Sequence, residues 1–282
     1  MQKVLVIVGP TASGKSALAV RLARERGGEV ISADSRQVYR GLDIGTGKIT
    51  KRQMQGVRHH LLNVASPKKV FTAHDFVRLG RKAISDISAR GKLPIVCGGT
   101  GFYIDALLGR VSLAETPRDE RLRKQLTAQT APELFAMLKK KDPTRALMMD
   151  TPSERNNKAR LIRALEVATH SPKRTRSFCA YDYDVEWIGI DWADGALKQR
   201  IHSRLLARMR AGMVAEVIRL HHRGLSWKRM EELGLEYRYI SRYLRGMLTK
   251  KELHTVLAYE IWQYAKRQRT YWRRNKDICW QK

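Results

Sequence analysis

Apolar residues in the first hundred positions alternate between two rhythms. The continuous runs at 3–8 and 93–97 are predicted to be buried strands, and 29–32 a shorter one. Between them, apolar positions recur at helical spacing. Ala17, Leu18, Val20, Leu22 and Ala23 mark a helix over 15–26, ended by Gly27 and Gly28. Phe76, Val77, Leu79, Ala83, Ile84 and Ile87 mark another, which starts at Thr72 with Asp75 three positions on and stops near Arg90 and Gly91. From Pro117 the strand pattern disappears, and helices are predicted over 117–128, 131–139 and 154–170. The run 185–190 is predicted to be a strand that returns to the first sheet, followed by helices over 196–210, 213–223, 230–245 and 250–274.

Strands separated by helices imply a parallel sheet covered on both faces. The expected fold is therefore α/β: a parallel sheet flanked by helices, with a helical insertion and a helical C-terminal region. The predicted boundaries are 1–112 and 184–282 for the sheet domain with its C-terminal helices, and 113–183 for the insertion. In such a sheet, ligands gather at the carboxyl ends of the strands.

Composition narrows the class. The 282 residues are 43% hydrophobic, enough for a real core. No segment reaches 18 uninterrupted apolar residues, so no membrane span is expected. No signal peptide is read, and Cys97, Cys179 and Cys279 are too scattered for a disulfide framework or a paired metal site. A reducing, cytoplasmic setting is expected. The net charge is +28, and it is uneven: residues 195–282 hold 21 Lys and Arg against 7 Asp and Glu, whereas 113–194 hold 15 against 13. A polyanion such as nucleic acid is the simplest partner for such an excess.

The candidate chemistry begins at Gly9-Pro10-Thr11-Ala12-Ser13-Gly14-Lys15-Ser16, which follows the first strand and opens the first helix. This is the G-x-x-x-x-G-K-[ST] phosphate loop in its proper context, and the expected sheet is of the P-loop NTPase kind. Its backbone N–H groups converge on an anion, Lys15 adds a point charge, and the Ser16 hydroxyl is placed to ligate Mg²⁺. Asp34 follows the second strand and emerges at the same sheet edge. It reads as a general base, a support for a magnesium-bound water, or a turn residue. A second glycine turn, Gly98-Gly99-Thr100-Gly101, leaves the 93–97 strand. Tyr264, Tyr271 and Trp272 lie among Lys266, Arg267, Arg269, Arg273 and Arg274, a mixture that suits RNA or, equally, an amphipathic packed helix.

Seven segments together resemble the tRNA dimethylallyltransferase (isopentenyl-tRNA transferase) family. They are GPTASGKS at 9–16, SADSRQVYRGLDIGTGK at 32–48, HHLLNV at 59–64, RGKLPIVCGGTGFYIDALL at 90–108, RLIRALEV at 160–167, the Arg200/Arg204 pair, and the run at 264–274. The resemblance implies transfer of a dimethylallyl group from dimethylallyl diphosphate to the exocyclic amine of the adenine 3′ of the tRNA anticodon. It implies that residues 9–16 hold the diphosphate with Mg²⁺, that Lys15 and Arg204 neutralise its growing charge, and that Asp34 is the base. It places Thr100 beside the target base, and Ser35, Arg36, Gln37, Arg123, Arg160 and Arg163 along the tRNA anticodon stem-loop with Asp34 and Thr100. His59 matches an active-site histidine, or is a satisfied structural one. The chain departs from the family pattern at 153–157, Ala159, Glu236 and Ile49. Nothing in the sequence requires a dimer, and a monomer is expected. Three other readings remain: a phosphate-loop small-molecule kinase, a prenyltransferase of free adenine nucleotides, and a non-catalytic RNA-binding protein. The first two leave the basic C-terminal third unexplained, and the intact Lys15, Ser16 and Asp34 count against the third.

Overall fold

A computed structural model describes residues 1–114, 116–170 and 183–281. Six strands form one all-parallel sheet: β1 (Gln2–Val8), β2 (Gly28–Ser32), β3 (His59–His60), β4 (Leu93–Cys97), β5 (Tyr183–Ile190) and β6 (Cys279–Gln281). Their order across the sheet is β3-β2-β4-β1-β5-β6. β1 lies in the middle, with Ile7 beside Cys97 of β4 and Ile188 of β5. Val4, Leu5, Val6, Ile7 and Val8 are all buried, as expected of a parallel strand covered on both sides.

Alternation along β1 distributes those residues. Leu5 and Ile7 pack with Leu18, Ala19 and Leu22 of α1 (Lys15–Glu25), together with Val30, Ile95 and Ile188 from neighbouring strands. α3 (Ala73–Ala89) packs against β2 and β4, and against α4 (Gly101–Leu107). α3 begins as its sequence predicts: the Thr72 hydroxyl accepts from Asp75 N–H while Asp75 accepts from Thr72 N–H. A short α2 (Lys51–Met54) precedes β3.

The described residues divide into two compact units, Met1–Val111 with Ala180–Lys282, and Ser112–Cys179. The second holds α5 (Glu120–Thr127), α6 (Ala131–Lys141), α7 (Pro143–Met148), α8 (Pro152–Arg155) and α9 (Lys158–His170). Its core is Leu126, Leu134, Phe135, Leu138, Leu161 and Leu165. In the first unit, β5 is followed by α10 (Asp194–Arg210), α11 (Met213–His222), α12 (Trp227–Leu233), α13 (Leu235–Leu244) and α14 (Lys250–Trp272). These helices close on Val38, Tyr39 and Leu42, the loop beyond β2. No helix among the described residues is long and apolar enough to cross a membrane. Cys97 and Cys279 are free thiols; Cys179 lies outside the described residues.

Two predicted helices are each divided. Residues 154–170 split at Asn156 and Asn157, because the Asn157 side chain accepts from Arg160 N–H and so starts α9 afresh. Residues 230–245 split at Gly234, whose φ of 98° ends α12 and opens α13. β3 and β6, with two and three residues, are too short to carry a periodic signal.

Glu29 stands at the start of β2, 2% exposed, and accepts from His60 (2.7 Å), Arg90 (2.7 Å) and Lys92 (3.0 Å). Burial alone raises a carboxyl pKa; here the bonds from His60 and Lys92 and the charge of Arg90 outweigh it and hold Glu29 at about 2. A carboxyl depressed in the fold stabilises it above its unfolded pKa, and that contribution is lost as pH falls toward the folded one. Glu29→Gln is therefore expected to be less stable than wild type at pH 6, and the gap in melting temperature should close between pH 4.5 and 2. A gap independent of pH would show that the charge of Glu29 is not what holds this edge.

Candidate active site

Because every strand points the same way, the exits of β1, β2, β3 and β4 share one edge of the sheet. A cavity of about 970 Å³ opens there. It is lined by Thr11, Lys15 and Ser16 from the first glycine turn, Asp34 and Gln37 after β2, His59 of β3, and Gly98 and Gly99 after β4. Arg200 and Arg204 of α10, and Tyr264 and Gln268 of α14, complete the wall.

The first turn follows from its glycines. Gly9 has a φ of +146°, and a Cβ there would stand 2.3 Å from the Ile190 carbonyl oxygen, so no other residue fits. Lys15 Nζ donates to the Pro10 carbonyl (2.5 Å) and reaches Ser13 Oγ (3.5 Å). Burial draws its pKa down to about 8; Cys97 and Asp34 oppose the fall, and the Arg204 charge adds to it. The Cys97 thiol is pushed up to about 11 by burial, so it stays protonated and inert.

Asp34 is held by its own turn. Oδ1 accepts from Arg36 N–H (2.8 Å) and Gln37 N–H (3.3 Å), and Oδ2 has no protein partner among the described residues. Thr100 Oγ accepts from Ser35 N–H (3.1 Å), and Thr100 N–H donates to the Ala33 carbonyl (3.2 Å). The β2 and β4 exits are thus tied together, with Asp34 and Thr100 side by side. Tyr264 lines the same cavity, and its hydroxyl pKa is raised by burial and by the Asp34 charge. His59 Nδ1 donates to the Val57 carbonyl (2.9 Å), which leaves Nε2 as an acceptor; burial keeps the ring neutral by lowering its pKa.

Other predicted residues sit differently. Arg36 turns out to the Glu232 carbonyl (3.4 Å). Arg123, Arg160 and Arg163 belong to the insertion unit. Arg123 clamps the fully buried Glu166 with two bonds (2.6 and 2.7 Å), and Arg163 adds a third while donating to the Ala114 and Thr116 carbonyls. Arg160 pairs with Glu154. All three are engaged internally. In the 264–274 run, Trp272 is 1% exposed and packs on Trp187, and Arg269 is buried on Asp191 and Asp194. Those two residues are core and brace, whereas Lys266 and Arg267 remain exposed.

Gln268 and Arg200 lie in segments that carry the family resemblance, but the sequence assigned neither of them a role. Gln268, 5% exposed, accepts from Thr11 N–H (2.7 Å) and donates to the Gly99 carbonyl (3.0 Å). One side chain therefore bridges the two glycine turns. Arg200 donates to the Ala12 carbonyl (2.9 Å) and lies over the Trp192 ring (4.4 Å), while the Trp192 indole N–H donates to the Ser13 carbonyl (2.8 Å). Arg200 was legible as the i−4 neighbour of Arg204 on one helix face; Gln268 had no local signal.

Residues 37–275 match the IPP transferase family. The chain belongs to that family. It is 45% identical over 273 residues to tRNA dimethylallyltransferase 2 of Trichlorobacter lovleyi, covering 96% of this chain and 87% of the relative. Among solved structures, the full-length tRNA isopentenylpyrophosphate transferase of Bacillus halodurans superposes with a TM-score of 0.75 at 35% identity, covering 100% of this chain and 90% of its own. A eukaryotic dimethylallyltransferase described as acting on tRNA gives a TM-score of 0.77 at 26% identity, over 96% of this chain and 70% of its own.

Gln268 ties the two turns of this IPP transferase family member together through its two bonds. Gln268→Leu leaves one half-buried donor and one half-buried acceptor unpaired, at about 1–3 kcal/mol each. Urea unfolding is expected to report a loss on the order of 2–4 kcal/mol. A loss below ~0.5 kcal/mol would mean that water replaces the bridge without cost.

Proposed function

We propose that the protein transfers a dimethylallyl group from dimethylallyl diphosphate to the exocyclic amine of the adenine 3′ of the anticodon in tRNA, releasing diphosphate. One observation carries the reading: an aspartate with a free carboxylate oxygen shares a single cavity with Lys15, Arg200 and Arg204. The allylic C–O bond breaks and its electron pair leaves on the diphosphate. The N–C bond forms, and the amine proton passes to Asp34 Oδ2. Lys15 and Arg204 offset the charge that gathers on the leaving group. An adenine amine is a weak nucleophile, and proton removal in the transition state is worth ~10²–10⁴-fold.

The names of the relatives support tRNA as the acceptor, and the basic C-terminal third supports a grip on stem phosphates, which position without specifying sequence. The target base has to leave its stack to reach the cavity, which is easiest in a single-stranded loop. Thr100 and Tyr264 stand beside Asp34 to receive it, with Ser35 and Gln37 flanking. Exposed Arg160 is free to exchange Glu154 for a phosphate; Arg123 and Arg163 act by keeping the insertion unit folded.

Mg²⁺ fits the site in one manner. Among the described residues no cluster of three acidic, histidine or cysteine side chains is present to cage a metal. The Ser16 hydroxyl at the cavity wall would hold a magnesium whose other ligands are diphosphate oxygens and water. Bound there, it would supply further positive charge for the leaving group. The same reading takes the protein as a monomer working in the cytoplasm.

Labelled dimethylallyl diphosphate, Mg²⁺ and an anticodon stem-loop with adenines 3′ of the anticodon test the reading. Label is expected in the RNA. Label only in free adenosine monophosphate, or ATP turnover without prenylation, would replace it with one of the alternatives. Asp34→Asn should lower kcat by ~10²–10⁴ and leave RNA affinity near wild type. Equal loss of RNA binding would remove Asp34 from the base role. The Lys15 pKa of about 8 sets a second expectation. Above pH 8 the free enzyme loses this ammonium, so the donor KM rises, while kcat holds because bound diphosphate restores the proton. A donor KM flat from pH 7 to 9.5 would place Lys15 away from the diphosphate.

A further inference from the structure

Glu216 on α11 is 3% exposed and fully committed. Its Oε2 accepts from the backbone N–H groups of Asp43 (3.0 Å) and Ile44 (2.7 Å). Its Oε1 accepts from Gly45 N–H (2.9 Å) and the Tyr237 hydroxyl (2.8 Å). One carboxylate thus grips three successive amides of a turn far from it in sequence. The carbonyls of the same turn are gripped from α10. Arg208 donates to the Gly45 carbonyl (2.5 Å) and pairs with Glu236, and Arg204 donates to the Gly47 carbonyl (3.0 Å). The far end is tied by Lys48 Nζ, which reaches the Tyr39 carbonyl (2.7 Å), Asp43 (2.7 Å) and Asn63 (2.6 Å). There is no slack: a Cβ on Gly45 would meet the Tyr237 ring at 2.6 Å, and one on Gly47 would meet Arg204 Nη2 at 2.2 Å.

The bond to Gly47 is the one hydrogen bond of Arg204 among the described residues. Its guanidinium therefore stands where that carbonyl stands, and the carbonyl stands where Glu216 holds the turn. We propose that Glu216 is a positioning residue for Arg204, setting through the 43–47 turn where the guanidinium meets the departing diphosphate. This rests on the reading of Arg204 as a diphosphate-neutralising cation. A carboxylate is suited to the task because it accepts from three amides at once. A glutamine amide would turn N–H against N–H, and an aspartate would fall one methylene short.

A double-mutant cycle on the whole protein tests it, with the prenyl-transfer assay on an anticodon stem-loop as readout. Glu216→Gln is expected to lower kcat roughly 10–100-fold with RNA affinity unchanged, and Glu216→Asp to recover part of the loss. In an Arg204→Ala background, Glu216→Gln should cost about 2-fold or less, because the group it positions is gone. Tyr237→Phe removes one bond to Glu216 without touching the turn amides, and should lower the melting temperature while leaving kcat within about 2-fold. If the two losses multiply, or if Tyr237→Phe lowers kcat as much as Glu216→Gln, Glu216 serves general stability and the proposal fails. If Arg204→Ala alone leaves kcat intact, the reading of Arg204 fails instead, and the inference with it. Should Glu216→Gln not fold, Glu216→Asp takes its place in the cycle with the same criteria.

Discussion

A parallel sheet cannot scatter the ends of its strands. Each exit loop leaves from the same edge, and here the central pairings put the β1, β2 and β4 exits within reach of one another. The glycine turn at 9–16, the Asp34 turn and the 98–101 turn are therefore neighbours before any side chain is considered. What remains for side chains is to keep those loops in register. Backbone bonds between Ala33 and Cys97, and between Thr100 and Ala33, do this for β2 and β4. Gln268 does it for β1 and β4. The C-terminal helices thus complete the site as well as cover the core.

Charge burial follows one rule through the molecule. Glu29, Glu166 and Glu216 are all nearly or fully buried, and each is surrounded by donors. Glu29 gathers Arg90, Lys92 and the His60 ring, Glu166 two arginines and the Asp119 amide, and Glu216 three turn amides and a phenol. A buried carboxylate costs several kcal/mol unless its lone pairs are filled, so each becomes a point through which separate segments are tied. The cavity reverses the balance. Lys15 and Arg204 are half-buried with few anionic partners among the described residues, and desolvation pulls the pKa of each down. Such under-compensated cations are an arrangement in which an anionic ligand repays its own desolvation.

Much of the fold was legible because the relevant signals are local. The run 3–8, the glycine loop behind it and the helical spacing after it identify the first β-α unit, and Thr72 with Asp75 identifies where α3 starts. Asp34 was legible as a candidate because it follows a readable strand, and Thr100 because the resemblance places it beside the target base. The divided helices were less so, since Gly234 and Asn157 interrupt otherwise continuous apolar spacing. Trp272 and Arg269 lie in a run whose sequence suits RNA or helix packing equally; both turn out to pack, the first filling the core and the second bracing residues 191–194.

The sequence by itself determined the parallel α/β sheet, the helical insertion, the family, and the placing of Lys15, Ser16 and Asp34 on strand-exit loops. Each of these depends on residues adjacent along the chain or repeated at a fixed period. Only the tertiary structure decided that Gln268 joins Thr11 to Gly99, that Glu216 holds the turn behind Arg204, and that Arg123 and Arg163 close on Glu166. Those are contacts between helices and distant loops, made by single polar side chains. A lone Gln or Glu on a helix has no period and no neighbour that reveals its partner, so its role exists only once the chain has folded around it.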